Sequence, residues 1–172
     1  MKRRVFSVLL IMAICFGMFP MKASAVEDGG VVYVKRIAYT GTAESPCYLI
    51  TDENGNVSSE GADESNYNIK WDGANLILRN AYVVGDEVTI GEDIDDDQGD
   101  AISADCDLTV TLIGENKLIG ISEDSAGLSV YENDNLCING EGSLYAEGDY
   151  CGIYSCFGEL TVNMEEISLL LV

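Results

Sequence analysis

Histidine is absent from this 172-residue chain, and basic side chains are scarce: nine Lys and Arg stand against 30 Asp and Glu, a net charge of −21. Each shortage excludes a class of function. Without His there is no Ser/His or Cys/His nucleophilic pair, no His-ligated zinc and no imidazole general base. Without clustered Lys or Arg the chain has little to hold a nucleic acid or an anionic membrane surface. Outside the first 25 residues no window carries a 3.6-residue apolar stripe, so no amphipathic helix is predicted.

What is present begins with an export signal. Lys2, Arg3 and Arg4 form a positive start, Val5 to Phe19 is an apolar run, Pro20 ends it, and Ala23-Ser24-Ala25 supplies the small residues of a cleavage site. The run is shorter than the 18–20 apolar residues that a membrane span takes. Cys15 is not a lipoprotein cysteine, because Ile14 stands where a small residue is required. With 1–25 as signal, the mature chain has 147 residues, 30 acidic and five basic, a net charge of −25. That length makes about one domain with room for a real core. The protein is expected to be secreted, free or at the cell surface, with no membrane insertion and no nucleic-acid partner.

Five mature cysteines remain, Cys47, Cys106, Cys137, Cys151 and Cys156. An odd number cannot pair fully within one chain, and the spacing fits no zinc pattern. Most read as small buried apolar residues, with a Cys151–Cys156 disulfide left open.

The most informative feature is a repeat. Ala101-Ile102-Ser103-Ala104, Leu108-Thr109-Val110-Thr111-Leu112 and Gly114-Glu115-Asn116-Lys117-Leu118 make one unit. Gly127-Leu128-Ser129-Val130, Leu136-Cys137-Ile138-Asn139 and Gly140-Glu141-Gly142-Ser143-Leu144 make the next, and a third starts at Gly152. Alternation at period two reads as strand, and the Gly, Asn and Asp between runs read as turns. Units that start at 101, 127 and 152 suggest an all-β solenoid, a parallel β-helix of about four coils. Stacking predicts inward columns Leu108/Leu136/Leu160, Val110/Ile138/Val162 and Ile102/Leu128/Ile153. The rows Thr109/Cys137/Thr161 and Thr111/Asn139/Asn163 then point outward. An antiparallel β-sandwich is the competitor, but it does not require residue types to recur at this period. Residues 26–70 read as an N-terminal β cap and 71–172 as the β-helix. The apolar ending Leu169-Leu170-Leu171-Val172 suggests a truncated stack, with a further domain or chain covering that end.

The strings Tyr67-Asn68-Ile69-Lys70-Trp71-Asp72-Gly73, Asn75-Leu76-Ile77-Leu78-Arg79-Asn80-Ala81, Leu108 to Asn116 and Gly140-Glu141-Gly142-Ser143-Leu144 resemble secreted β-helix proteins of clostridia-like bacteria described as carbohydrate-binding domains. The resemblance spans roughly residues 65–170. It implies a right-handed, pectate-lyase-like β-helix, calcium binding, and affinity for plant-wall polysaccharides such as cellulose and polygalacturonate. It supplies no ligand motif that transfers residue by residue.

Candidate sites therefore come from the residues themselves. Asp93, Asp95 and Asp97 alternate like the first half of an EF-hand loop, but Gln98 and Ala104 stand where its Gly and bidentate Glu belong. With Asp100 they remain candidates for calcium in an irregular loop, against the alternative of a solvated acidic loop. Glu115, Glu141 and Glu165 follow the second strand of successive units, and coils lie about 4.8 Å apart. Such a column of like charges would also call for a cation. Asp107 and Glu159 bracket Asn135 in another row. For sugar, the candidate faces are Trp71, Tyr131 and Tyr154, with Tyr145 and Tyr150 also in or beside the coils, although packing between cap and first coil is the commoner role for a Trp placed like Trp71. Catalysis is a sharper alternative. A calcium-dependent lyase needs a base, and Lys117 is the one cation well inside the repeats. The composite reading is a non-catalytic, calcium-assisted polysaccharide binder. A surface adhesin or structural stalk that contacts protein is the alternative.

Overall fold

A computed structural model describes residues 30–87 and 99–164. Asp93, Asp95, Asp97 and Glu165 lie outside the described residues. Among those described, every regular element is a strand. Five come first: β1 (Val32–Val34), β2 (Ile37–Tyr39), β3 (Cys47–Thr51), β4 (Val57–Ser58) and β5 (Ile69–Trp71). Ten follow: β6 (Asn75–Arg79), β7 (Tyr82–Val84), β8 (Ile102–Ala104), β9 (Leu108–Ile113), β10 (Glu115–Ile119), β11 (Ala126–Val130), β12 (Leu136–Gly140), β13 (Ser143–Glu147), β14 (Cys151–Ser155) and β15 (Leu160–Asn163).

These ten form three parallel stacks, β6-β9-β12-β15, β7-β10-β13 and β8-β11-β14. The chain runs from stack to stack in one repeating order. The early strands lengthen two stacks in antiparallel fashion: β1 and β2 continue from β8, and β5, β3 and β4 continue from β6.

Register follows from side-chain alternation, because a slip of one residue would turn every apolar group outward. Leu108, Leu136 and Leu160 occupy one register position; Val110, Ile138 and Val162 occupy the next. Ile102, Leu128 and Ile153 align in the stack of β8, β11 and β14. Thr109/Cys137/Thr161 and Thr111/Asn139/Asn163 alternate with the inward columns, and Thr111 Oγ1 bonds Asn139 Oδ1 at 3.0 Å. Leu108 and Leu136 are fully buried, but Leu160 at the β15 end is 47% exposed. Gly140 closes β12 at φ 116°, where a Cβ would lie 2.3 Å from the Leu112 carbonyl oxygen. Only glycine lets the backbone of one rung approach the next so closely.

One sequence expectation needs correction, that most cysteines are buried, and one question left open, the Cys151–Cys156 pair, is answered. All five cysteines are free and half-buried, none fully buried. Cys151 starts β14 and Cys156 follows its end. Five extended steps separate them by roughly 16 Å, far beyond the Cα separation of about 4.4–6.8 Å that a disulfide spans. The pair cannot form while β14 is intact.

Candidate functional site

Trp71 is not a sugar platform. It is 1% exposed, on the inward side of β5, and its Nε1 donates to the Gly30 carbonyl at 3.1 Å. The alternation that places Ile69 inward places Trp71 there too, so the indole is part of the core.

Tyr131 and Tyr154 do come together. β11 and β14 are adjacent and pair Ser129 with Tyr154, and Tyr131 follows the end of β11. The Tyr131 and Tyr154 rings lie 5.9 Å apart, and Tyr150, in the turn before β14, meets Tyr154 edge-on at 5.8 Å. The three rings share an open cleft of about 430 Å³ with Asp100, Asp124, Ala126, Glu132 and Cys156. Tyr150 is 62% exposed, so its ring face is offered to solvent. The sequence places Tyr131, Tyr150 and Tyr154 in or beside the coils but passes over Asp124 and Glu132. They sit in turns, where no alternation reports which way a side chain points.

Asp100 anchors this cleft from beneath. It is 4% exposed and accepts hydrogen bonds from the Ala126 amide at 2.6 Å, the Tyr131 hydroxyl at 2.7 Å and the Ser129 hydroxyl. A buried carboxylate is tolerable only with such donors; Ala126 and Ser129 fix it, and it in turn holds the Tyr131 hydroxyl. Tyr154 shares a hydrogen bond with Cys156, which, with burial next, pushes its phenol up to about 12. The hydroxyl therefore stays neutral at physiological pH. Burial and the Asp100 charge raise the Cys151 thiol, which keeps it an inert thiol rather than a nucleophile.

The calcium expectation fits the described residues poorly. Asp100 has already engaged both oxygens with protein donors. Glu115 pairs in register with Ser143, not with Glu141, which lies two positions earlier in the turn after β12. The offset between β10 and β13 is 28 residues, whereas the two glutamates are 26 apart, so Glu115 and Glu141 do not share a column. Both line a shared depression with Gly114, Gly142 and Asn163. Among the described residues no three Asp, Glu or Cys side chains converge as a metal would need.

The Asp107/Asn135/Glu159 row is present, but it is a hydrogen-bonded ladder rather than a line of repelling charges. Asp107 Oδ1 accepts from the Asn135 amide at 2.7 Å, and Asn135 Oδ1 accepts from the Glu159 amide at 3.0 Å. Each turn thereby caps the turn above it. Next to it, burial, then Asp107, Glu132 and Asp105, raise the Asp134 carboxyl above its usual range. A folded state that holds this proton more tightly than the unfolded chain is stabilised below the unfolded value and loses that increment as pH rises through the folded one. Asp134→Asn is accordingly expected to raise the urea midpoint at pH 7, with the gap to wild type closing toward about pH 4. An unchanged midpoint at neutral pH would show that the repulsion is fully screened.

No protein-family model matches this chain, and it has no match among the curated proteins or the solved structures with which it was compared.

Proposed function

We propose that the protein is an exported, non-catalytic polysaccharide-binding protein built as a right-handed parallel β-helix, and that it grips sugar rings in the cleft of Tyr131, Tyr150 and Tyr154. The single observation that carries the binding reading is a cluster of three tyrosines lining one open cleft, with Tyr154 5.9 Å from Tyr131 and 5.8 Å from an exposed Tyr150, edged by carboxylates. The apolar faces of sugars stack on aromatic rings, and a few fixed polar groups then orient the hydroxyls. Asp124 and Glu132 accept from such hydroxyls, and the neutral Tyr154 hydroxyl donates.

Three stacks visited in one repeating order support the β-helix reading, with the hand taken from the near-universal right-handedness of parallel crossovers. Residues 1–25 support export. Among the described residues that line the cleft there is no Lys or Arg to serve as the charged base of a lyase, which favours binding over catalysis. Because the described carboxylates do not fit a calcium site, no step of binding is routed through that ion. A neutral glycan suits the site better than a polyanion, which the net charge of −25 repels at long range.

A glycan array with and without chelator tests this. Retention of a neutral polysaccharide is expected, indifferent to chelator, and weakened about tenfold or more by Tyr154→Ala or Tyr150→Ala with the fold unchanged by circular dichroism. Retention that survives both substitutions would rule out the cleft. New reducing or unsaturated sugar ends on incubation would overturn the non-catalytic reading. A specific protein partner with no glycan bound would favour the adhesin.

A further inference from the structure

Three of the five basic residues among those described lie over tyrosine rings. Among the described residues the one ion pair is Lys35–Asp86, at 3.1 Å, despite the excess of carboxylates. Lys70 lies over the Tyr48 ring at 5.9 Å. Arg79 lies over Tyr67 at 4.2 Å and donates to its hydroxyl at 2.8 Å. Lys117 differs from both. It is exposed on the outer face of β10 and stands between two rings, Tyr82 at 5.1 Å and Tyr145 at 5.4 Å. The register explains the arrangement, for Tyr82, Lys117 and Tyr145 are direct neighbours on β7, β10 and β13. Inward Val83, Leu118 and Ala146, one step further along each strand, hold the row in place from below. Tyr145 is tied down through its hydroxyl, which donates to Glu147 Oε2 at 2.7 Å. A groove of about 620 Å³ runs over the row, with Asn80, Asn116, Ser143 and the Glu115 carboxylate among its walls.

We infer that this outer face of β7, β10 and β13 is a second glycan platform, separate from the tyrosine cleft and selective for an acidic sugar. Lys117 takes a carboxylate or sulfate of the central sugar, and Tyr82 and Tyr145 take the rings on either side. The inference rests on the reading of the protein as a polysaccharide binder. Its geometry is a matching of repeats: adjacent strands are about 4.8 Å apart, near the advance of an extended glycan per sugar. A chain laid across the strands thus presents successive rings to tyrosine, lysine and tyrosine. An ammonium between two aromatic faces is held at a fixed position, so little side-chain freedom is lost when an anion arrives. The interaction is short-ranged, in a protein whose overall field opposes it. Raising salt from about 10 mM to 150 mM, which shortens the Debye length from about 30 to 8 Å, is therefore expected to strengthen anionic binding. The reverse is seen when a broad basic patch binds a polyanion.

Titration calorimetry on the mature chain in EDTA, with a polyuronate, dextran sulfate and unsubstituted dextran, tests the platform. One or both anionic chains are expected to bind, and which one identifies the group Lys117 prefers. Lys117→Gln should weaken that binding by about tenfold or more, Lys117→Arg should restore most of it, and Tyr145→Leu should weaken it with the charge intact. Tyr154→Ala should leave it unchanged. An anionic affinity indifferent to Lys117→Gln, or lost on Tyr154→Ala, overturns the platform, as does the absence of binding to either anionic chain. Anionic binding that depends on Lys117 while neutral chains fail to bind would sink the cleft alone and leave this site standing.

Discussion

Leu136→Ala is expected to cost about 2–5 kcal/mol, the range for truncating a fully buried leucine, measured as a lower urea midpoint at unchanged slope. Leu136 is 0% exposed and is held between Leu108 and Leu160 in one column. The surrounding backbone is locked by two parallel ladders, so the void has little freedom to collapse. Against a total stability of about 5–15 kcal/mol for a domain, that loss is a large fraction. Two companions sharpen it. Leu108→Ala should cost a similar amount, and Leu160→Ala much less, because Leu160 already meets solvent at the β15 end. Cys137→Ala, on the same strand but facing outward, should fall below about 1 kcal/mol. Equal losses at Leu136 and Cys137 would mean that the columns do not form the core.

Asp100→Ala should destabilise comparably and by a different mechanism. The substitution removes the acceptor of the Ala126 amide, the Ser129 hydroxyl and the Tyr131 hydroxyl, at about 1–3 kcal/mol for each of the two buried donors, Ala126 and Ser129. The three share one acceptor, so their losses are coupled and less than additive. Asp100→Asn keeps the volume and one carbonyl acceptor but turns an amide toward a donor, so its loss should be intermediate. Tyr131 provides a second readout, since release of its hydroxyl should alter tyrosine near-ultraviolet circular dichroism. Sugar binding should weaken in both variants through the position of Tyr131, without loss of Tyr150 or Tyr154. A wild-type midpoint in Asp100→Ala would refute the anchoring role.

These two predictions come from opposite ends of what was legible. The column of Leu108, Leu136 and Leu160 can be read directly from the chain, because alternation at period two within each run and recurrence between runs report the same inward face. Glu115 and Glu141 miss a shared column by two residues. The strands in β10 and β13 align by their own alternation, and the Gly140–Gly142 turn absorbs a different number of residues from its counterpart at Gly114. Trp71 shows a third case. Its identity suits either a ligand face or a core, and only its inward place on β5 decides between them.

From composition and period alone came the strand-based architecture, the inward and outward rows, and the exclusion of histidine chemistry and of basic-patch binding. Those properties are local or repetitive, so each residue carries its share of the signal. Which side chains meet across rungs was left to tertiary structure: Tyr150 beside Tyr154, Asp100 beneath Tyr131, and Lys117 between rings 35 residues before it and 28 after it. Turn lengths set those meetings. A turn can gain or lose a residue without disturbing the alternation on either side, and so leaves no trace in the pattern that reveals the strands.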